Sequence, residues 1–315
     1  MRCYVGVDGG GSKTSVAVAG ETGRVIGRVT TGPSNYQALG IDVASARVAL
    51  AIAEAVQAAR ELDETLDIAG LCLALAGVGR PEDDLAWRGA VERWTAEPSP
   101  GVRWVMRATD AVITHDAMAA LVGGTGRREG VVVIAGTGAI AFGVNARGDQ
   151  RRASGWGYLL GDEGSGCWIG LAGLRAICRA DDRRGPPTAL AGALLAARAL
   201  SQPQELVKPV YSEWKPADFA ALAPIVLHVA AQGDAVARGI VEDACRELAA
   251  AALSVLRGLD LIRVRAEVVT AGGLWNPLLR ERFAACVALD APHAAVSPPR
   301  AEPVIGALHL ARGVV

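Results

Sequence analysis

The sequence predicts an α/β protein made of two similar halves. Three observations lead there. The chain has 315 residues, roughly twice the usual length of a single domain. Its first part reads strand, strand, strand, helix, strand, helix, strand, helix. Near residue 131 a strand, Gly turn, strand, polar Gly turn pattern starts again as a weak internal repeat. Doubled halves of this kind imply two mixed sheets flanked by helices, facing each other across a cleft where ligand sites gather.

The elements follow from local pattern. Residues 3–7 read as a buried strand, 15–19 as a second and 24–31 as a third, separated by the turns Asp8-Gly9-Gly10-Gly11-Ser12-Lys13-Thr14 and Glu21-Thr22-Gly23. Short β-rich runs between Gly turns make an antiparallel meander. Residues 44–62 are alanine-rich with helical apolar spacing, and 68–75 form a continuous apolar run that fits a buried strand. Residues 84–96 predict a helix, 111–115 a strand ending at Asp116, and 117–122 the start of a helix. The boundary falls where Gly and charge cluster, giving halves 1–122 and 123–301. In the second half 131–135 and 139–144 read as strands around Gly136-Thr137-Gly138, and 154–165 as a Gly-rich loop. Helices are expected over 166–179, 234–256, 277–287 and 302–312, and a strand over 267–270 ending at Gly272-Gly273.

Composition excludes several function classes. Lys and Arg total 32 against 33 Asp and Glu, a net charge of −1, which argues against nucleic acid or an anionic membrane as partner. No run reaches the ~18 apolar residues of a transmembrane helix, and no leader is read at the start. The six cysteines form no C-x-x-C pair and none has zinc-ligand spacing to the four histidines. Most lie in apolar runs, as small buried hydrophobes do, so a reducing, cytoplasmic setting is expected.

Several motifs could carry chemistry. The hairpin Asp8 to Thr14 has three glycines that let backbone N–H groups approach an anion. Ser12 and Thr14 add hydroxyls and Lys13 a cation. Asp8 at the strand end is placed to hold Mg²⁺ through water beside a polyphosphate. The hairpin is neither a Walker A nor a Rossmann motif. Thr137 and Gly138 repeat the device, and Gly272-Gly273 would admit a flat ring such as adenine. Asp116 opens a helix, where it can cap as pure structure or act as a general base. Asp110 is a decoy in a surface turn. Asn35 could bond sugar hydroxyls or simply serve a turn. Ser154, Gly155, Trp156, Gly157 and Asp162 form a loop with an aromatic face and a carboxylate that suits a polyol.

Taken together and in this order, these motifs resemble the N-acetylglucosamine kinase family of the actin/hexokinase-type ATPase superfamily. The resemblance covers essentially the whole chain, and Gly155-Trp156-Gly157 with Gly161-Asp162-Glu163-Gly164-Ser165 is its most specific piece. It implies two ribonuclease H-like domains, the last helix (302–315) returning to the first, and commonly a homodimer. It makes Asp116 the base that deprotonates a sugar 6-hydroxyl. Asn35, Trp156, Gly157 and Asp162 become sugar contacts, Gly10, Gly11, Ser12, Thr137 and Gly138 phosphate contacts, and Gly272 and Gly273 the adenosine side. ATP and Mg²⁺ are the implied cofactors, with an amino sugar as substrate. Two positions depart from the family pattern. Ala139 stands where relatives usually carry Ser, and Ser154 where they often carry Cys or Gly, which bears on which sugar is taken. N-acetylglucosamine is the first expectation, with glucosamine, glucose and N-acetylmuramic acid as alternatives. A more distant alternative is an ATPase that activates 2-hydroxyacyl-CoA dehydratases, which would need cysteines for an iron–sulfur cluster.

Overall fold

The computed structural model describes residues 1–60, 65–97 and 101–315. They form two compact units, Met1–Glu129 with Pro299–Val315, and Gly130–Pro298.

Unit 1 opens with β1 (Arg2–Gly9), β2 (Thr14–Gly20) and β3 (Val25–Thr31), followed by α1 (Tyr36–Leu39) and α2 (Ile41–Ala59). β4 (Leu66–Leu75), α3 (Pro81–Ala96), β5 (Val102–Trp104), β6 (Val112–Thr114) and α4 (Asp116–Thr125) come next. The first three strands are an antiparallel meander, with Val5 opposite Val18 and Gly9 opposite Thr14. β4 runs parallel to β1, and β5 and β6 run parallel to β4 along its other edge. β1 and β4 are almost wholly apolar because both faces are covered. The core gathers Val5, Val7, Leu71, Leu73, Ile52 and Trp87.

Unit 2 repeats the plan. β7 (Gly130–Ala135), β8 (Ala139–Val144) and β9 (Gln150–Ser154) form its meander. The helices α5 (Gly166–Asp181), α6 (Leu190–Ala196), α7 (Val207–Ser212), α8 (Pro216–Ala220), α9 (Ala223–Ala231) and α10 (Ala235–Gly258) follow. Then come β10 (Glu267–Ala271), α11 (Pro277–Asp290) and β11 (Ala295–Ser297). Among the described residues the strand orders are β3-β2-β1-β4-β5 and β9-β8-β7-β10-β11, the same topology twice. The repeat is thus carried in the sheet, although only the Gly turns betray it in sequence. The last helix, α12 (Pro303–Arg312), packs on β1 and α4 of unit 1.

The structure departs from the sequence reading at several points. The helix expected over 44–62 begins at Ile41, and its expected end at Leu62 lies outside the described residues. Three short strands, β5, β9 and β11, were not expected. The 122/123 division falls inside α4, which continues through Gly123 and Gly124, and the compact units part at Glu129/Gly130. The glycine pair reads as loop, yet its role is packing. A Cβ on Gly123 would stand 2.6 Å from the Glu302 carbonyl oxygen where α12 begins.

Candidate functional site

Sheet topology brings the candidate residues of each unit to one edge. In unit 1 the parallel strands β1, β4 and β6 end together, so Asp8, the turn after Leu75 and Asp116 share the carboxyl edge of the sheet. In unit 2 β7, β9 and β10 likewise end together, at Gly136, Ser154 and Gly272. Ligands in open α/β sheets bind outside such edges.

The β1–β2 hairpin is closed by the Gly10 N–H donating to Lys13 O at 2.9 Å. Its base is anchored by the Ala76 N–H to Gly9 O (2.7 Å) and the Ser34 N–H to Gly10 O (3.1 Å). Its three glycines do different things. A Cβ on Gly9 would lie 2.3 Å from Ser34 Oγ, so Gly9 is needed for close approach. Nothing stands within 4 Å of a Cβ on Gly11, and Gly10 is nearly as open. Gly11, Ser12 and Lys13 are exposed, with free space for an anion. Thr14 corrects the sequence reading. It is fully buried, and its hydroxyl bonds Gly32 O and Ser34 Oγ, 2.8 Å each, so it ties the hairpin to the 32–35 loop instead of facing a ligand.

Asp8 is half-buried. Burial first, and then the Asp116 carboxylate, push its carboxyl up to about 7, against the pull of Lys13. Burial also raises Asp116, partly offset by the Ala117 N–H, which its Oδ1 accepts at 2.9 Å. The N-cap of α4 is His115, not Asp116. Asp116 is the first helical residue, and its carboxylate takes backbone hydrogen bonds from Ala117 and from its own N–H. Asp110 is exposed and bound to Arg107 at 3.1 Å. Asn35 caps α1 by accepting from the Gln37 N–H at 3.0 Å. Gly77 (φ 84°) comes close enough to crowd it: a Cβ there would lie 3.0 Å from Asn35 Oδ1. That contact was not legible in sequence.

In unit 2 the turn Gly136–Thr137–Gly138 is held from below by the first N–H groups of α5. Gly166 N–H donates to Gly136 O (2.8 Å) and Cys167 N–H to Thr137 O (3.2 Å). Thr137 is exposed, and Gly136 has open space above it. Gly138 is different: the Asp162 carboxylate rests on it, and a Cβ would meet Asp162 Oδ2 at 2.5 Å. Asp162 also accepts from the Gly157 N–H at 3.2 Å and from the backbone at Ala139. Burial pushes its carboxyl up, these hydrogen bonds pull it down, and the balance is a raised value. Asp162 therefore knits the 154–165 loop to the Gly136 turn. The sequence reading gave it a sugar contact; the structure adds this bracing.

The same loop gathers several residues of left-handed backbone. Ser154 (φ 63°) and Asp162 (φ 56°) are non-glycine residues in the left-handed region, and Gly155 (φ 73°) and Gly157 (φ 87°) join them. Trp156 is 64% exposed, with the Arg152 guanidinium 4.9 Å over the centre of its ring. Gly272 (φ 98°) is obligatory, since a Cβ would strike Ala135 O at 2.3 Å. Gly273 is open and lines a cavity of about 480 Å³ with residues of α9 and the start of α11.

Among the described residues no group of three or more His, Cys, Asp or Glu side chains is arranged to hold a metal by protein ligands alone. Mg²⁺ does not ask for such a cage, since it keeps waters and takes one or two carboxylates plus substrate phosphates. Asp8, crowded by Asp116 and short of compensating charge, fits that demand. Cys167 is buried at the start of α5 and Cys178 is exposed further along the same helix.

Comparison with known proteins agrees over the full length. N-acetyl-D-glucosamine kinase of Dictyostelium discoideum is 32% identical, covering 98% of this chain and 97% of its own. N-acetylmuramic acid/N-acetylglucosamine kinase of Clostridium acetobutylicum is 30% identical, covering 99% of each. A solved structure from Chromobacterium violaceum, provisionally described as an N-acetylglucosamine kinase, superposes with a TM-score of 0.72 at 26% identity, covering 98% of this chain and 99% of its own. The profile of the BadF/BadG/BcrA/BcrD ATPase family matches residues 5–311, and the chain belongs to that family.

Proposed function

We infer that the protein is an ATP-dependent kinase that phosphorylates the 6-hydroxyl of an amino sugar, N-acetylglucosamine first. The observation that carries this is the pairing of Asp8 and Asp116 at one sheet edge, beside an open glycine hairpin. Two full-length relatives that act on N-acetylated sugars support the choice of substrate.

Phosphoryl transfer asks the protein mainly for positioning and charge neutralisation. Asp116 accepts the hydroxyl proton on its carboxylate. Burial raises its carboxyl above the ordinary carboxylate value, which makes it a stronger base than an exposed carboxylate. The N–H groups of Gly11 and Ser12 donate to phosphate oxygens, Gly10 lets the phosphate approach the turn while its own N–H closes the hairpin on Lys13 O, and Lys13 adds a cation. Asp8 would hold Mg²⁺ through water, and the ion would supply neutralising charge at the phosphates. In unit 2 the N–H groups at Thr137 and Gly138 offer a second phosphate contact, and Gly272 and Gly273 border the adenosine side. Asn35 offers its side-chain amide to sugar hydroxyls, and Trp156, Gly157 and Asp162 take the sugar's other contacts. The reading includes a homodimer in the cytoplasm, and light scattering on the purified protein tests the dimer.

A coupled ADP-release assay across N-acetylglucosamine, N-acetylmuramic acid, glucosamine and glucose tests the assignment. A site that hydrogen-bonds an acetamido group rejects the sugar lacking it. kcat/KM for N-acetylglucosamine should exceed that for glucose by at least about tenfold, or ~1.4 kcal/mol. Equal values, or a preference for glucose, would remove the N-acetyl assignment.

A further inference from the structure

The cavity beside Gly273 has a chemical character that the phosphate loops do not. Its walls come from α9, through Leu227 and His228, and from the β10–α11 turn, through Gly273, Trp275, Asn276 and Leu278. At about 480 Å³ it lies within the roughly 300–1,000 Å³ usual for ligand sites. Most of its polar capacity is already used. The Trp275 indole N–H donates to Val133 O at 3.2 Å. Asn276 Oδ1 caps α11 by accepting from the Leu279 N–H at 2.8 Å. The Leu274 N–H donates to Ala135 O at 3.1 Å. One ring nitrogen of His228, Nε2, lies 3.1 Å from the Gln232 amide nitrogen. What remains among the side chains is the Asn276 Nδ2 amide and the second nitrogen of an exposed His228. The rest of the wall is aliphatic or aromatic.

Such a wall grips a flat ring by area and shape. It has little means of reading the ring's edge. Adenine and guanine differ at that edge, where an amine and an unprotonated ring nitrogen become a carbonyl and an N–H. Strong discrimination comes only from buried polar groups left unpaired by the wrong ligand, and an apolar pocket rejects a near-isostere weakly. The amide donor of Asn276 meets an acceptor in either purine, N1, N3 or N7 of adenine and O6, N3 or N7 of guanine.

We propose that this pocket accepts purine bases with little distinction between them, so that the enzyme uses GTP and ITP as phosphoryl donors nearly as well as ATP. The proposal rests on the kinase reading above and adds the donor class to it.

The experiment measures kcat/KM for ATP, GTP and ITP at saturating N-acetylglucosamine and fixed Mg²⁺. In parallel, calorimetry compares binding of ADP and GDP. The expected result is that the three donors agree within about tenfold, and the two diphosphates likewise. A preference for ATP over GTP beyond tenfold, with ADP preferred over GDP to match, overturns the proposal. The binding arm separates the two readings. If no donor gives sugar phosphate, the kinase reading fails, while the ADP-to-GDP ratio still decides whether the pocket distinguishes purines. His228→Ala supplies a further check, because His228 is exposed and outside the phosphate and sugar loops. It should leave the ATP-to-GTP ratio within about twofold of the unsubstituted enzyme, and a larger change in that ratio would show that the pocket reads the base edge and overturn the proposal.

Discussion

Asp8 stands within the field of Asp116 in unit 1. Burial, and then the Asp116 carboxylate, push the Asp8 carboxyl up to about 7. Two carboxylates so placed, offset only in part by Lys13, destabilise the fold locally, a cost that makes sense if substrate chemistry needs both.

Their roles separate by substitution. Asp116→Asn keeps the shape and the hydrogen bond from the Ala117 N–H, but it cannot accept a hydroxyl proton. We expect kcat to fall roughly 10²–10⁴-fold with a modest change in sugar KM and little change in Tm. Asp110→Asn weakens an exposed pair with Arg107 and a local cap on the Arg107 N–H, and should leave kcat within a few-fold. Steady-state kinetics on both variants checks this, and near-normal kcat in Asp116→Asn would exclude it as the base.

Gly306 of α12 lies against α4 with no room to spare. A Cβ there would stand 2.0 Å from Ala119 O and 2.5 Å from Gly123 N, both backbone atoms. Gly306→Ala should lower stability by about 1–3 kcal/mol or more, through overpacking that backbone cannot relieve. Chemical denaturation measures it. Gly239→Ala in α10 is the control, because nothing stands within 4 Å of its Cβ, and it should be neutral or mildly stabilising.

Asp83 gives an acid-side signature. Burial would raise its carboxyl, but hydrogen bonds from the Tyr36 hydroxyl and from the Arg80 (2.8 Å) and Gly79 (2.9 Å) N–H groups outweigh that and hold it below the ordinary 3.8. A depressed folded value means the stabilisation is present above pH ~4 and is lost as pH falls through the folded value. Asp83→Asn should therefore be less stable at pH 7 and show a shallower loss of stability below pH ~4. Denaturation midpoints at pH 7, 5 and 3 test the slope, and parallel curves for the two proteins would contradict it.

The thiols should divide by depth. Burial pushes Cys72 and Cys245 up to about 12 and Cys167 up to about 11, so none presents thiolate near neutrality. Cys178 is exposed. At pH 8 a chromogenic disulfide reagent should titrate Cys178 quickly and those three only after denaturation. Fast labelling of Cys72 in the native protein would show that β4 opens readily.

The sequence showed most of the long elements because they bury continuous apolar runs or helical stripes, as 3–7, 68–75 and 234–256 do. It missed β5 and β11, whose three residues are too few for any periodicity, while β6, equally short, was read from the run that ends at Asp116. It missed β9 because Gln150, Arg151 and Arg152 lie on an exposed edge. The site was legible where chemistry is written in residue type, as in the glycine turns and Asp116. It was not legible where direction decides. Thr14 turns its hydroxyl inward because Gly32 and Ser34 come back under the hairpin, a contact across eighteen residues or more. Asp162 braces Gly138 from twenty-four positions away, which no local pattern records.

The placement of α12 bears on how the molecule is made. Unit 2 is one unbroken stretch of chain, whereas unit 1 is completed only by Pro299–Val315. Val304 and Leu308 cover Ala17 and Ala19, and the backbone near Val304 packs against Gly6 in the middle of β1. During synthesis, then, the first strands to emerge must wait, with one face uncovered, until residues translated after all of unit 2 arrive. The usual order, in which the N-terminal part of a protein settles first, cannot be completed here before the C-terminus is made. A chain cut off after Pro298 would carry every residue of unit 2 but a unit 1 without its last helix, open to proteases and chaperones along the α12 seat.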